Sequence, residues 1–194
     1  MATQRAAVSQ PRKRRTAPVP VAPVAKIDRP AGKAAKVVKV GVAYRPKRGV
    51  DEFVRQLSGA SPYDLIEIER HGVDAQLLND LSRRLDMPAM RFIEMLGVPR
   101  ATAAKKVAGG EVIAGAGGQA AIGVARLLAR AQEIVANSTA KEAQGFDTAK
   151  WLGEWLQVPQ PALGGRKPSE LLDTPTGIAL VARVLGSVES GAYQ

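Results

Sequence analysis

From about residue 50 onward the apolar positions recur at three- and four-residue steps, so the chain reads as a series of helices punctuated by glycine and proline. Phe53, Val54 and Leu57 share one side of a first helix, with Asp51 and Glu52 in the turn where the helix dipole favours negative charge. Ser58-Gly59 stops it. Ser61-Pro62 supplies a cap and a first-turn proline for a helix over 62–70 that carries Leu65, Ile66 and Ile68. Asp74 then caps a helix whose Leu77, Leu78, Leu81 and Leu85 have the spacing of a buried face. Pro88 opens a further helix through Phe92, Ile93 and Leu96, and Pro99 opens another after the turn Leu96-Gly97-Val98. Short helices joined by a tight glycine-containing turn predict a helix-turn-helix near residues 74–108.

On the helix that follows Pro99, Ala101, Ala104 and Ala108 share a face that would pack inward. Arg100, Thr102, Ala103, Lys105 and Lys106 would then spread over the outer surface. With Arg91 these are the candidate DNA-binding residues, because basic and hydroxyl groups suit phosphates and base edges. The helix is poor in the Asn, Gln and Arg that read bases, which argues for weak sequence discrimination. Gly109-Gly110 ends it, and a glycine-rich connection leads to an apolar helix with Ile122, Val124, Leu127, Leu128, Ile134 and Val135. That helix would lie across the preceding unit, with its Ala and Leu also available for dimer contacts.

After Asp147, a candidate cap, Trp151, Leu152, Trp155 and Leu156 fall on one stripe, where aromatic residues ordinarily supply buried area. Gly164 and Gly165 permit positive φ in a loop that ends at Pro168, and a short helix runs to about Leu172. Thr174-Pro175 caps a last helix with Ile178, Val181, Ala182, Leu185 and Val188.

Charge divides the chain unevenly. Residues 1–48 hold thirteen Lys or Arg against Asp28 alone, whereas 49–194 hold fifteen basic and seventeen acidic side chains, so the formal +10 resides in the N-terminal segment. With almost no large apolar side chains, residues 1–48 read as a disordered basic arm able to track phosphates, or as a solvated linker. Val37 to Val42 alternates with lysine and is only a weak strand candidate. No secretion signal or membrane span is read, and the expected location is the cytoplasm.

Catalytic and metal chemistry find little support. The chain has no cysteine and a single histidine, His71, so disulfides, thiolate metal sites and a histidine cluster are excluded, no nucleophile–base pair can be argued, and neither a metal nor a cofactor is expected. Gly115-Ala116-Gly117-Gly118-Gln119-Ala120 fits the G-x-G-x-x-A form of a dinucleotide fingerprint. That fingerprint needs a strand before the loop and a parallel strand after the helix. Only Glu111-Val112-Ile113-Ala114 precedes it, trapped between glycines. A flexible connection between helices is the expectation.

The ordered series Trp151-Leu152, Trp155-Leu156, Pro159, Leu163-Gly164-Gly165, Pro168, Leu171-Leu172, Thr174, Gly177, Val181, Leu185 and Gly191-Ala192-Tyr193 resembles the C-terminal toxin-binding domain of the Xre/MbcA/ParS antitoxin family. The resemblance covers about a quarter of the chain. Together with the helical pattern and the charge division it gives an all-α fold: a disordered basic arm over 1–48, leading helices over 49–72, an Xre-like helix-turn-helix domain with its connecting helix over 73–136, and a toxin-binding module over 145–194. It further implies a non-enzymatic type II antitoxin, a homodimer that represses its own operator DNA and occludes a RES-type, NAD-degrading toxin. The residues that would meet the toxin are Gly164, Gly165, Arg166, Lys167 and Pro168, with Ser190, Gly191, Ala192, Tyr193 and Gln194. Physically, the Tyr193 ring could fill an apolar pocket and the terminal carboxylate could meet cations that otherwise hold a phosphate. The competing expectation is a DNA-binding regulator or nucleoid-associated protein without a toxin.

Overall fold

The computed structural model describes residues 41–138 and 145–189. Among them the fold is helical: α1 (Gly49–Ser58), α2 (Pro62–His71), α3 (Gln76–Arg84), α4 (Ala89–Met95), α5 (Arg100–Ala108), α6 (Gly115–Asn137), α7 (Thr148–Trp155) and α8 (Pro175–Glu189), with one short ladder of β1 (Val73–Asp74) and β2 (Val112–Ile113).

The punctuation works as its chemistry requires. At the start of α2 the Ser61 hydroxyl accepts from the Asp64 amide at 3.2 Å, and the Asp64 carboxylate accepts from the Ser61 amide at 3.1 Å. That reciprocal pair satisfies two of the orphan donors at the helix start. Asp74 accepts from the Gln76 amide at 2.8 Å and launches α3, whose Leu77, Leu78 and Leu81, with the following Leu85, are enclosed by the core.

The long helix α6 is the axis of the body. Helices α1, α2, α3, α7 and α8 all pack against it, and Ala120, Ala121, Ile122, Val124, Ala125, Leu127, Leu128, Ala129 and Ala131 are buried along it. Both leucines of this helix and most of its alanines are therefore buried within the chain itself. Leu152, Leu156, Leu172, Val181 and Leu185 belong to the same core as Leu77 and Phe92. The stretches 73–136 and 145–189 thus share one apolar interior.

Two expectations need correction. Residues 42–48, placed in the basic arm by their composition, belong in part to the body: Val42 and Tyr44 are buried, and Pro46–Arg48 form a 3-10 turn into α1. Tyr44 meets Phe53 edge-on with centroids 5.5 Å apart and donates its hydroxyl to Asp80. Two apolar residues among lysines and arginines are too few to register in composition, and their burial depends on partners far along the chain. The remainder of the arm, and most of Val37 to Val42, lie outside the described residues.

The glycine-rich connection is the other. Gly115 to Gly118 form the first turn of α6, and a Cβ on Gly118 would stand 2.5 Å from the Ile113 carbonyl oxygen. Close approach of β2, rather than flexibility, accounts for that glycine. The β2 segment does form a strand, but it pairs antiparallel with β1, Val73 opposite Ile113 and Asp74 opposite Val112. No parallel strand exists among the described residues.

Candidate toxin-binding module and helix-turn-helix surface

Helix α7 is held at its N-terminus by one carboxylate. Asp147 accepts from the amides of Ala149 at 3.2 Å and Lys150 at 3.1 Å, and from Arg84 Nη1 at 3.0 Å. The Lys150 amide first, and then the Arg84 guanidinium, hold the Asp147 carboxyl below its ordinary pKa. Arg84 also donates to Asp51 at 3.0 Å, so one guanidinium ties α1, α3 and the cap of α7 together.

The stripe on α7 divides. Leu152 and Leu156 are fully enclosed, while Trp151 and Trp155 pack against the edge of the core and remain half-buried. The two indoles stack with centroids 6.1 Å apart and planes 25° apart. Phe146 lies 6.1 Å from Trp151 and is 43% exposed. Spacing alone assigns both tryptophans to the interior. The structure leaves them at its border because the aliphatic pair already fills the space beneath.

The glycine loop is a built turn. Gly164 at φ 66° and Gly165 at φ 79° take left-handed backbone, which only glycine adopts without strain. Gln160 closes the turn, its amide donating to the Arg166 carbonyl at 2.9 Å and its carbonyl accepting from Gly165 at 3.0 Å. Gly164, Gly165 and Arg166 are thereby exposed and Lys167 half so, but Pro168 is buried and has no access to a partner. Ser190, Gly191, Ala192, Tyr193 and Gln194 lie outside the described residues.

A cavity of about 370 Å³ opens between α4 and this loop, lined among others by Arg91, Glu94, Lys167, Glu170 and Asp173. It sets Arg91 of the proposed DNA surface beside Lys167 of the proposed toxin surface. Gln157 also borders it, and its carboxamide nitrogen and oxygen are both buried without a hydrogen-bond partner.

On α5 the exposed set is Arg100, Ala101, Thr102, Ala104, Lys105 and Ala108. The inward face assigned to Ala101, Ala104 and Ala108 is wrong. Ala103, expected outside, is fully buried, and Val107 packs on the core. Alanine removes so little area from water that it cannot set the phase of a short helix. Arg100 pairs with Glu94. The Lys106 ammonium is occupied too, donating to the Val112 carbonyl at 2.9 Å with Glu111 at 3.5 Å. Arg91, Thr102 and Lys105 are the outward polar groups that remain. His71 meets only its own helix, through the Glu67 carbonyl at 2.7 Å, and the described residues contain no cluster of three metal-ligating side chains.

Residues 143–191 match the family described as antitoxin Xre/MbcA/ParS C-terminal toxin-binding domain. Over 157 residues, 80% of this chain and 98% of the other, the sequence is also 33% identical to the "Prs ADP-ribosylating antitoxin" of Sphingobium sp. (strain YBL2). The chain belongs to the Xre/MbcA/ParS antitoxin family. It is thus the antitoxin of a toxin–antitoxin system, with a cognate toxin as partner. The match spans Asp147, the tryptophan pair, the glycine loop and all of α8. No helix among the described residues is long and apolar enough to cross a membrane.

Proposed function

We infer that this antitoxin neutralises a RES-type, NAD-degrading toxin by occluding its active site, and that it represses its own operon in the cytoplasm as a homodimer. The observation that carries the first part is the match of 143–191 to a toxin-binding domain. The exposed Gly164, Gly165 and Arg166 add to it, offering a backbone surface that a partner can approach closely. The Sphingobium relative carries ADP-ribosylation in its name, and ADP-ribosyl transfer spends NAD, which agrees with a NAD-consuming class of toxin. The antitoxin acts by binding rather than by catalysis. Ser190 to Gln194 form the plug, the Tyr193 ring entering an apolar pocket of the toxin. Co-expression with the RES-type protein of the same operon tests this: the full chain rescues growth and NAD levels, whereas a chain lacking 190–194 does not. Full rescue by the shortened chain overturns the plug.

A second reading, that of an antitoxin whose toxin is of another class and whose own main task is DNA-binding regulation, is favoured by the open α5 surface with Thr102 and Lys105 outward. A two-fold operator then requires two recognition helices about one DNA turn apart, hence a dimer. A toxin gene of another class in the same operon, together with gel-shift binding to its promoter, supports that reading over the first.

A further inference from the structure

Helix α7 turns Leu152 and Leu156 into the core and sets the two indoles along the border of that stripe. Phe146, Trp151 and Trp155 form a continuous row, each ring 6.1 Å from the next. Val158, three residues beyond the helix, is 52% exposed. Aromatic area left in contact with water forfeits about 25 cal/mol per Å², and contiguous apolar surface on a folded chain marks an interaction site. Tryptophan is also prominent among the residues that dominate interface energies.

The position of the row identifies its occupant. Every ring falls within 143–191, the segment matched to a toxin-binding domain. Of the charges nearest along the chain, Asp147 is engaged by Arg84 at 3.0 Å and Lys150 by Asp86 at 3.3 Å, and the exposed Glu154 between the two indoles is acidic. This surface therefore offers rings rather than free cations, the reverse of what a nucleic-acid backbone selects. We propose that the Phe146–Trp151–Trp155 row is the anchor on which the cognate toxin docks, its rings entering an apolar cleft on the toxin. The inference rests on the toxin-neutralising function above. It assigns affinity for the toxin to α7 and leaves inhibition to Ser190–Gln194.

Both tryptophans of the protein lie in the row, so antitoxin labelled with 5-hydroxytryptophan reports on this surface alone. Adding the purified RES-type protein of the same operon is expected to shift the label's emission to the blue and to reduce acrylamide quenching several-fold. A complex that forms on gel filtration with quenching unchanged overturns the anchor and leaves the antitoxin function standing. Absence of any complex overturns both. Protection that grows with antitoxin concentration before toxin is added overturns it as well, since a second copy of the chain then covers the row. Phe146→Ser supplies an independent check at the ring farthest from the core: the complex weakens roughly tenfold or more while the melting temperature stays put. Unchanged affinity overturns the proposal.

Discussion

Arg84 on α3 donates its Nη1 to the Asp147 carboxylate at 3.0 Å, and that same carboxylate caps α7. A residue of the helix-turn-helix region thus secures the entry to the toxin-binding module. Asn caps a helix about as well as Asp but carries no charge, so Asp147→Asn isolates the ion pair and Asp147→Ala removes pair and cap together. The alanine variant is expected to lose about 1 kcal/mol through the cap, with the asparagine variant close to wild type in urea unfolding. The carboxyl is held below its ordinary value in the folded state. Its contribution is therefore complete above the unfolded pKa and fades as pH falls toward the depressed folded value. Acid titration of the melting temperature should accordingly be shallower in Asp147→Asn than in wild type.

Gly153 lies against the end of α3, where an added Cβ would stand 2.0 Å from the Leu85 carbonyl oxygen. Helix propensity alone favours Gly→Ala by about 1 kcal/mol. At this position the sign reverses, because a backbone carbonyl cannot step aside without moving α7 off α3. Gly153→Ala should cost about 1–3 kcal/mol. Gly186→Ala is the control: its Cβ would meet only Arg130 Nη2, at 3.9 Å, and a gain of up to about 1 kcal/mol is expected. Equilibrium unfolding of the pair separates close approach from propensity.

The Gln157 carboxamide is buried with neither atom bonded. Leaving such a group unsatisfied costs about 1–3 kcal/mol. Replacement by the similarly shaped but apolar methionine removes that cost, so Gln157→Met should raise the urea midpoint with an unchanged slope. A lowered midpoint would mean the amide has a partner.

The two neighbouring lysines of α5 should behave differently. Lys105 is exposed, whereas the Lys106 ammonium is committed to the Val112 carbonyl. If α5 meets operator DNA, Lys105→Gln reduces the salt slope of binding by about one and leaves stability alone. Lys106→Gln should lower the melting temperature more than it lowers affinity. Gel shifts over a salt series and thermal melts distinguish the pair.

Tyr44 tests where the body begins. Tyr44→Ala should cost about 3–5 kcal/mol, as loss of a buried ring does, and Tyr44→Phe about 1 kcal/mol for the hydroxyl bond to Asp80. An alanine variant as stable as wild type would place residue 44 in the arm after all.

How far the sequence discloses this molecule depends on the size of the side chains that carry the signal. The leucines of α3 and the caps Ser61 and Asp147 stand where their spacing predicts, because large apolar residues and helix starts obey local rules, while Asp74 lies one residue ahead of the cap position of α3, in β1. The phase of α5 was hidden by alanine. Val42 and Tyr44 were hidden by the lysines and arginines around them. The β1–β2 ladder joins residues some forty positions apart through two-residue strands, too short to leave a period. The tryptophans show a different limit. Helical spacing identifies a shared face but not how deep that face lies, and depth is what separates scaffold from contact surface.

The burial of α6 on so many sides bears on engineering. Toxin recognition resides by sequence in residues 143–191, yet α7 and α8 complete an interior that begins with α1 and α3. The portion that is inherited as a module is smaller than the portion that folds. Transplanting 143–191 alone onto another antitoxin to redirect its specificity would carry across the recognition surface without the groove that seats it. A working chimera should exchange the matching positions of α6 in the same graft.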